Sequence, residues 1–145
     1  GMMLPSGVPF PDFVAPFVEA DPQAIGITAS LAEVPGGTAV PPEAAREVFY
    51  HDATPEAAAA ASARLTPQGK DVRAPRVRFT EARAGRVPRG YVRCGADRSV
   101  LPAVQDAMCA ARPGARRVLL PCGHAPMLAT PDALSAALAD LLPSI

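Results

Sequence analysis

The stretch "RVLLPCGHAPML", Arg117 to Leu128, decides how the chain is read. "RVLL" has the character of a short buried strand, Pro121 stops it, and Gly123-His124 follow directly past its end. Upstream, "GYVRCGADRSVLP" repeats the arrangement: a strand from Gly90 to Cys94, a loop carrying Asp97, and a helix opened by Pro102. That helix presents Leu101, Val104 and Met108 on one face and closes near Gly114. Thr130-Pro131-Asp132 opens a last helix, with Leu134, Leu138, Leu141 and Leu142 at a period near 3.6. The βαβα order implies parallel strands joined by a right-handed crossover. Two strands are too few for a parallel sheet covered on both faces, so the pattern implies more sheet than is present here.

Ligands and catalytic groups gather beyond the carboxyl ends of such strands. Adjacent parallel strands lie about 4.8 Å apart, so the Asp97 carboxylate should reach the His124 imidazole. The carboxylate would accept from one ring nitrogen, fix the tautomer, and stabilise the imidazolium formed when the other takes a proton. Alone, each is an ordinary loop residue; their matching positions on successive strands make them a candidate acid–base pair.

Before about Arg86 the texture differs, with much Pro and Ala and no long apolar strand. "PFPDFVAPFVEA" places Phe10, Phe13, Val14, Phe17 and Val18 at helical spacing, with Pro16 expected to kink or restart the helix. "ITASLAEVPGGTAV" reads as a hairpin around Gly36-Gly37. One helix starts at Pro42, and another runs from Thr54 as N-cap, through Pro55, to Leu65.

Bulk properties narrow the function classes. At 145 residues the chain is one domain's worth, and 49% hydrophobic residues argue for a globular fold. Gly1 ahead of Met2-Met3 reads as a scar of tag removal. Net charge is zero and Lys70 is the only lysine, so no footprint for nucleic acid or an anionic membrane appears. No apolar run is long enough to span a bilayer and no signal peptide opens the chain. Cys94, Cys109 and Cys122 form an odd, sparse set, which suits reduced thiols in a cytoplasm. Cys122, His124 and His51 lack zinc-ligand spacing, so no metal is expected, and no phosphate-binding loop or dinucleotide fingerprint occurs. His51-Asp52 follows a helix end, where a histidine compensates the dipole.

Together, "VPRGYVRCGADRSVLPAVQDAM" and "VLLPCGHAPMLATPDALSAAL" resemble the C-terminal part of the α/β-hydrolase superfamily, closest to its methyl-esterase and hydroxynitrile-lyase branch. "FYHDATPEAAAAASARLTPQ" resembles that branch's small cap, and "MLPSG" the exit from the strand before it. The resemblance implies a partial α/β-hydrolase fold: a cap-like helical and hairpin region over 2–86, then a βαβα core part over 87–145. It implies Asp97 as triad acid and His124 as triad base, with His51 and Met127 near the substrate pocket, a small ester as ligand and no organic cofactor.

One element of that family is missing. Its nucleophile sits on a Gly-x-Ser-x-Gly elbow ahead of the acid and histidine, and no serine or cysteine here has glycine two residues to each side. Three readings follow: a truncated hydrolase inactive alone, a ligand-binding or interaction module without the chemistry, or half of a split enzyme completed by a partner chain. An open sheet edge should also be hidden, most simply in a homodimer.

Overall fold

The structure, a computed structural model, describes residues 2–69, 72 and 75–142. Residues 143–145, the end of the expected core part, lie outside them. Six α-helices occur among the described residues: α1 (Phe10–Ala20), α2 (Pro42–Val48), α3 (Pro55–Ser62), α4 (Pro102–Ala111), α5 (Pro126–Ala129) and α6 (Pro131–Leu141). Each has proline in its first two positions, where the missing N–H costs no intrahelical bond. At α3 the Thr54 hydroxyl adds a side-chain cap, accepting from the Ala57 N–H at 3.3 Å.

The strands of the described residues form two sheets. β1 (Ala32–Val34), β2 (Gly37–Ala39) and β3 (Gln68–Gly69) make a small antiparallel sheet. β4 (Gly90–Cys94) and β5 (Arg116–Leu120) pair in parallel, from Gly90 opposite Arg116 to Cys94 opposite Leu120. Side chains alternate across this pair. Val92, Cys94, Val118 and Leu120 pack with Ala137 and Leu134 of α6. On the other face Tyr91 joins Val104 and Met108 of α4, against which Phe10, Phe13, Val14 and Phe17 of α1 pack. Arg93, also on that face, makes a bidentate pair with Asp106 of α4, both bonds at 2.8 Å. One helix thus covers each face of the two strands, which orients their carboxyl ends toward the same loops.

Several expectations need correction. α1 passes through Pro16 as one helix, without a restart. Val14 is buried, and the half-buried Phe10, Phe13, Phe17 and Val18 pack against the same cluster as α4 on both sides of the proline. That packing outweighs the one lost backbone bond. The hairpin turn is Pro35-Gly36, with Val34 opposite Gly37 and Gly36 at φ 79°, so Gly37 already belongs to β2. Ile27–Ser30, expected in that hairpin, instead belong to a 3-10 segment over Pro22–Ser30. α3 ends at Ser62 rather than Leu65. Met2–Leu4, expected as the end of a strand, form none, because no described strand lies beside them; Met3 and Leu4 pack against the α1–α4 cluster instead.

Candidate active site

The loop after β4 begins by extending the pairing with β5: Gly95 N–H donates to the Leu120 carbonyl at 2.8 Å and Ala96 N–H to the Cys122 carbonyl at 2.9 Å. Asp97 follows and is buried, at 6% exposure. Its Oδ1 accepts the backbone N–H groups of Ser99 at 2.7 Å and Val100 at 2.9 Å, so the carboxylate shapes its own loop. Gln105 of α4 lies beneath, at 1% exposure. Its side-chain carbonyl accepts from Cys94 N–H at 3.0 Å, and its NH2 group donates to the Cys94 and Val100 carbonyls at 3.0 and 2.8 Å. The same NH2 reaches Asp97 Oδ2 at 3.5 Å.

His124 meets this carboxylate. Its Nδ1 lies 3.1 Å from Oδ1 and 3.0 Å from Oδ2 of Asp97. An ionised carboxylate only accepts, which assigns the ring proton to Nδ1 and leaves Nε2 of the neutral ring as acceptor. Nε2 makes no hydrogen bond among the described residues. The Phe49 ring, just past α2, stacks on the imidazole at 4.9 Å between centroids and 25° between planes. A stacked ring and a fixed Nδ1 together define the imidazole plane.

Two cavities border the imidazole. The larger, of about 590 Å³, is lined mainly by apolar side chains including Met3, Phe10, Ile25, Phe49 and Val100. The smaller, of about 410 Å³, brings Met127 into the same lining as Asp97, Tyr50 and Tyr91. His51 lines neither cavity. Its Nε2 donates to the Ala96 carbonyl at 3.0 Å, and Asp52 Oδ2 accepts the Gly123 N–H at 2.5 Å.

The nearby thiols do not substitute for a serine. Burial pushes the Cys94 thiol up to about 12, and burial also raises Cys122, so neither supplies a thiolate at neutral pH. Sequence reasoning passed over Phe49 and Gln105, and met Asp52 only as part of a helix end. Gln105 alone leaves a signal, since it shares the buried helix face with Val104, Met108 and Cys109.

No helix among the described residues is long and apolar enough to cross a membrane. A model of the alpha/beta hydrolase family matches residues 2–137. No curated protein matches the chain. Among solved structures, it is similar to a pyrethroid hydrolase from Sphingobium faniae JZ-2, at 28% identity over 96% of this chain and 56% of that one, with a TM-score of 0.74. It is also similar in fold to an Arabidopsis methylesterase, at 22% identity over 78% of this chain and 49% of that one, TM-score 0.70. Polyneuridine aldehyde esterase gives 22% identity, 78% and 47% coverage, and a TM-score of 0.63. The chain therefore spans about half the length of these structures.

Proposed function

The chain belongs to the alpha/beta hydrolase family, and from that premise we propose that it carries the acid and the base of an esterase-type site without the nucleophile. The carrying observation is the His124 Nδ1 at 3.0 Å from the Asp97 carboxylate, in an imidazole that borders a largely apolar cavity. Asp97 orients the ring and balances the imidazolium. Nε2 of His124 takes the proton from a serine hydroxyl as it attacks an ester carbonyl, then returns it to the departing alkoxide. That serine comes from outside this sequence, which holds no Gly-x-Ser-x-Gly. Ser99 lines the larger cavity, but it sits in the acid loop without flanking glycines. The apolar lining and the similarity to a pyrethroid hydrolase favour a carboxylic ester with apolar substituents.

Residues 2–86 act in this reading as a cap and the rest as the last part of the catalytic core. Met127 contributes to the pocket wall. His51 turns to the acid loop rather than to a ligand. The purified chain should not turn over p-nitrophenyl acetate beyond background, and a fluorophosphonate probe should leave it unlabelled. Stoichiometric labelling would reveal an activated serine and overturn the proposal.

The cavity beside an unpaired Nε2 also supports a second reading, that the chain binds an ester-like ligand without chemistry. Saturable calorimetric binding of a non-hydrolysable ester analogue, with no turnover, would select it. Leu119, Leu138 and Leu142 are exposed at 60%, 48% and 68%, and each strand of the parallel pair keeps one edge without a strand partner among the described residues. These features favour a two-fold homodimer, or a partner chain carrying the serine elbow, with an interface of about 2,000 Å² or more. Light scattering on a sizing column tests the dimer, and the mass of a single chain would reject it.

A further inference from the structure

We propose that His51 and Asp52 are positioning residues that set the Asp97–His124 pair from the cap side; the inference rests on the acid–base reading above and adds what holds that pair together. The two residues follow α2 and grip both strand-end loops. His51 Nε2 donates to the carbonyl of Ala96, the residue before Asp97, at 3.0 Å. Asp52 Oδ2 accepts the N–H of Gly123, the residue before His124, at 2.5 Å. A backbone donor to a carboxylate is charge-assisted and among the stronger hydrogen bonds. One dipeptide thereby fixes the backbone on the N-terminal side of the acid and of the base.

A steric observation agrees independently. A Cβ built on Gly123 would lie 2.6 Å from His51 Nε2 and 2.7 Å from Asp52 Oδ1. Gly123 is not in the left-handed region, so a side chain there would meet no backbone strain but would push the ends of the His51 and Asp52 side chains out of place. The His51-Asp52 pair occupies the space it would need. Displacing a base by about 1 Å can cost catalysis on the order of a hundredfold, so a clamp at this point governs whether Nδ1 stays on the carboxylate.

The test reads the ring nitrogens directly and needs no turnover. The chain has two histidines, so nitrogen-15 NMR resolves them, and His51→Ala identifies His124. In the unmodified chain, the His124 Nδ1–H should be slow to exchange with water. Asp97→Ala should abolish that resonance. Asp52→Ala should abolish it too, whereas Asp52→Asn, whose side-chain carbonyl still accepts from Gly123 N–H, should restore it. A merely structural Asp52 would lower the melting temperature in both variants and leave the ring signal in place. If Asp97→Ala abolishes the signal and Asp52→Ala keeps it, the clamp is wrong and the pair stands. If Asp97→Ala keeps it, the pair itself is wrong. If Asp52→Ala gives no cooperative thermal transition, His51→Ala is read the same way: a weakened Nδ1–H signal supports the clamp and an unchanged one overturns it.

Discussion

The loop after β4 is held around its carboxylate mainly from within, with one bond from His51 to Ala96 reaching it from outside, whereas the loop after β5 is held mainly from outside. Asp97 binds the N–H groups of Ser99 and Val100 within its own loop, and Gln105 of the very next helix closes the strand end beneath it. His124 has no comparable local support. Its neighbour Gly123 is bonded to Asp52, its ring lies on Phe49, and its Nδ1 rests on Asp97. The Asp97 carboxylate is therefore set mainly by contacts of short sequence separation, with His51 bracing the preceding residue. The base is set by contacts reaching back to the region after α2. A buried carboxylate needs hydrogen-bond donors, which its own loop provides. A base that must face a cavity cannot be enclosed in that way, so its restraint comes from one side.

Removing Gln105 should expose the contrast most strongly. Gln105→Ala leaves the Cys94 N–H and the Val100 carbonyl without their side-chain partner, at about 1–3 kcal/mol for each buried group. The Cys94 carbonyl loses the same partner and keeps the Asp97 N–H at 3.4 Å. A urea unfolding series should show a loss of about 3 kcal/mol or more, with the Phe49–His124 ring-current shifts preserved. A loss below about 1 kcal/mol would mean that the acid loop does not depend on its own helix. Phe49→Leu acts on the other loop and should cost about 0.5–1.5 kcal/mol. It should broaden the His124 ring signals while the Ser99 and Val100 amides keep their protection from exchange. Equal deprotection of both loops would erase the distinction.

The smallest effect lies outside both loops, at Arg93 and Asp106, exposed at 26% and 49%. The hydrogen bond from Arg93 is the main cause holding the Asp106 carboxyl below its ordinary value. The folded state thus favours the charged form, so the stabilisation is present above the usual aspartate value, about 3.9, and is lost as pH falls through the lower folded value. Solvent screening limits it to about 0.2–1 kcal/mol. Asp106→Asn should remove that share of the acid-side loss without moving either loop, as unfolding at neutral pH and at about pH 3 would show.

The βαβα order and the meeting of Asp97 with His124 are legible because they rest on local signals: strand length, proline at helix starts, and loops at equivalent strand ends. The contacts from Phe49, His51 and Asp52 are not legible, since they join residues 45 to 75 positions apart and no period marks them. Position 123 illustrates the limit. Its glycine reads as a turn signal, yet the structure lays the His51 and Asp52 side chains against it, where a Cβ would displace them. Pro16 fails in the opposite direction, because a strong local breaker yields to packing of the surrounding phenylalanines.

Prolines open five of the six described helices and one stands second in α1, with a consequence outside the folded molecule. Each locks one φ angle before folding begins and biases the residue ahead of it away from helix. The disordered chain has fewer conformations to abandon, by an amount worth about 0.4–1 kcal/mol at each compatible position. Where proline is the first helical residue, extending the helix backward past that start is also disfavoured. Part of the specificity of this fold is therefore written into the ensemble it leaves, as a narrowing of the alternatives rather than as a contact.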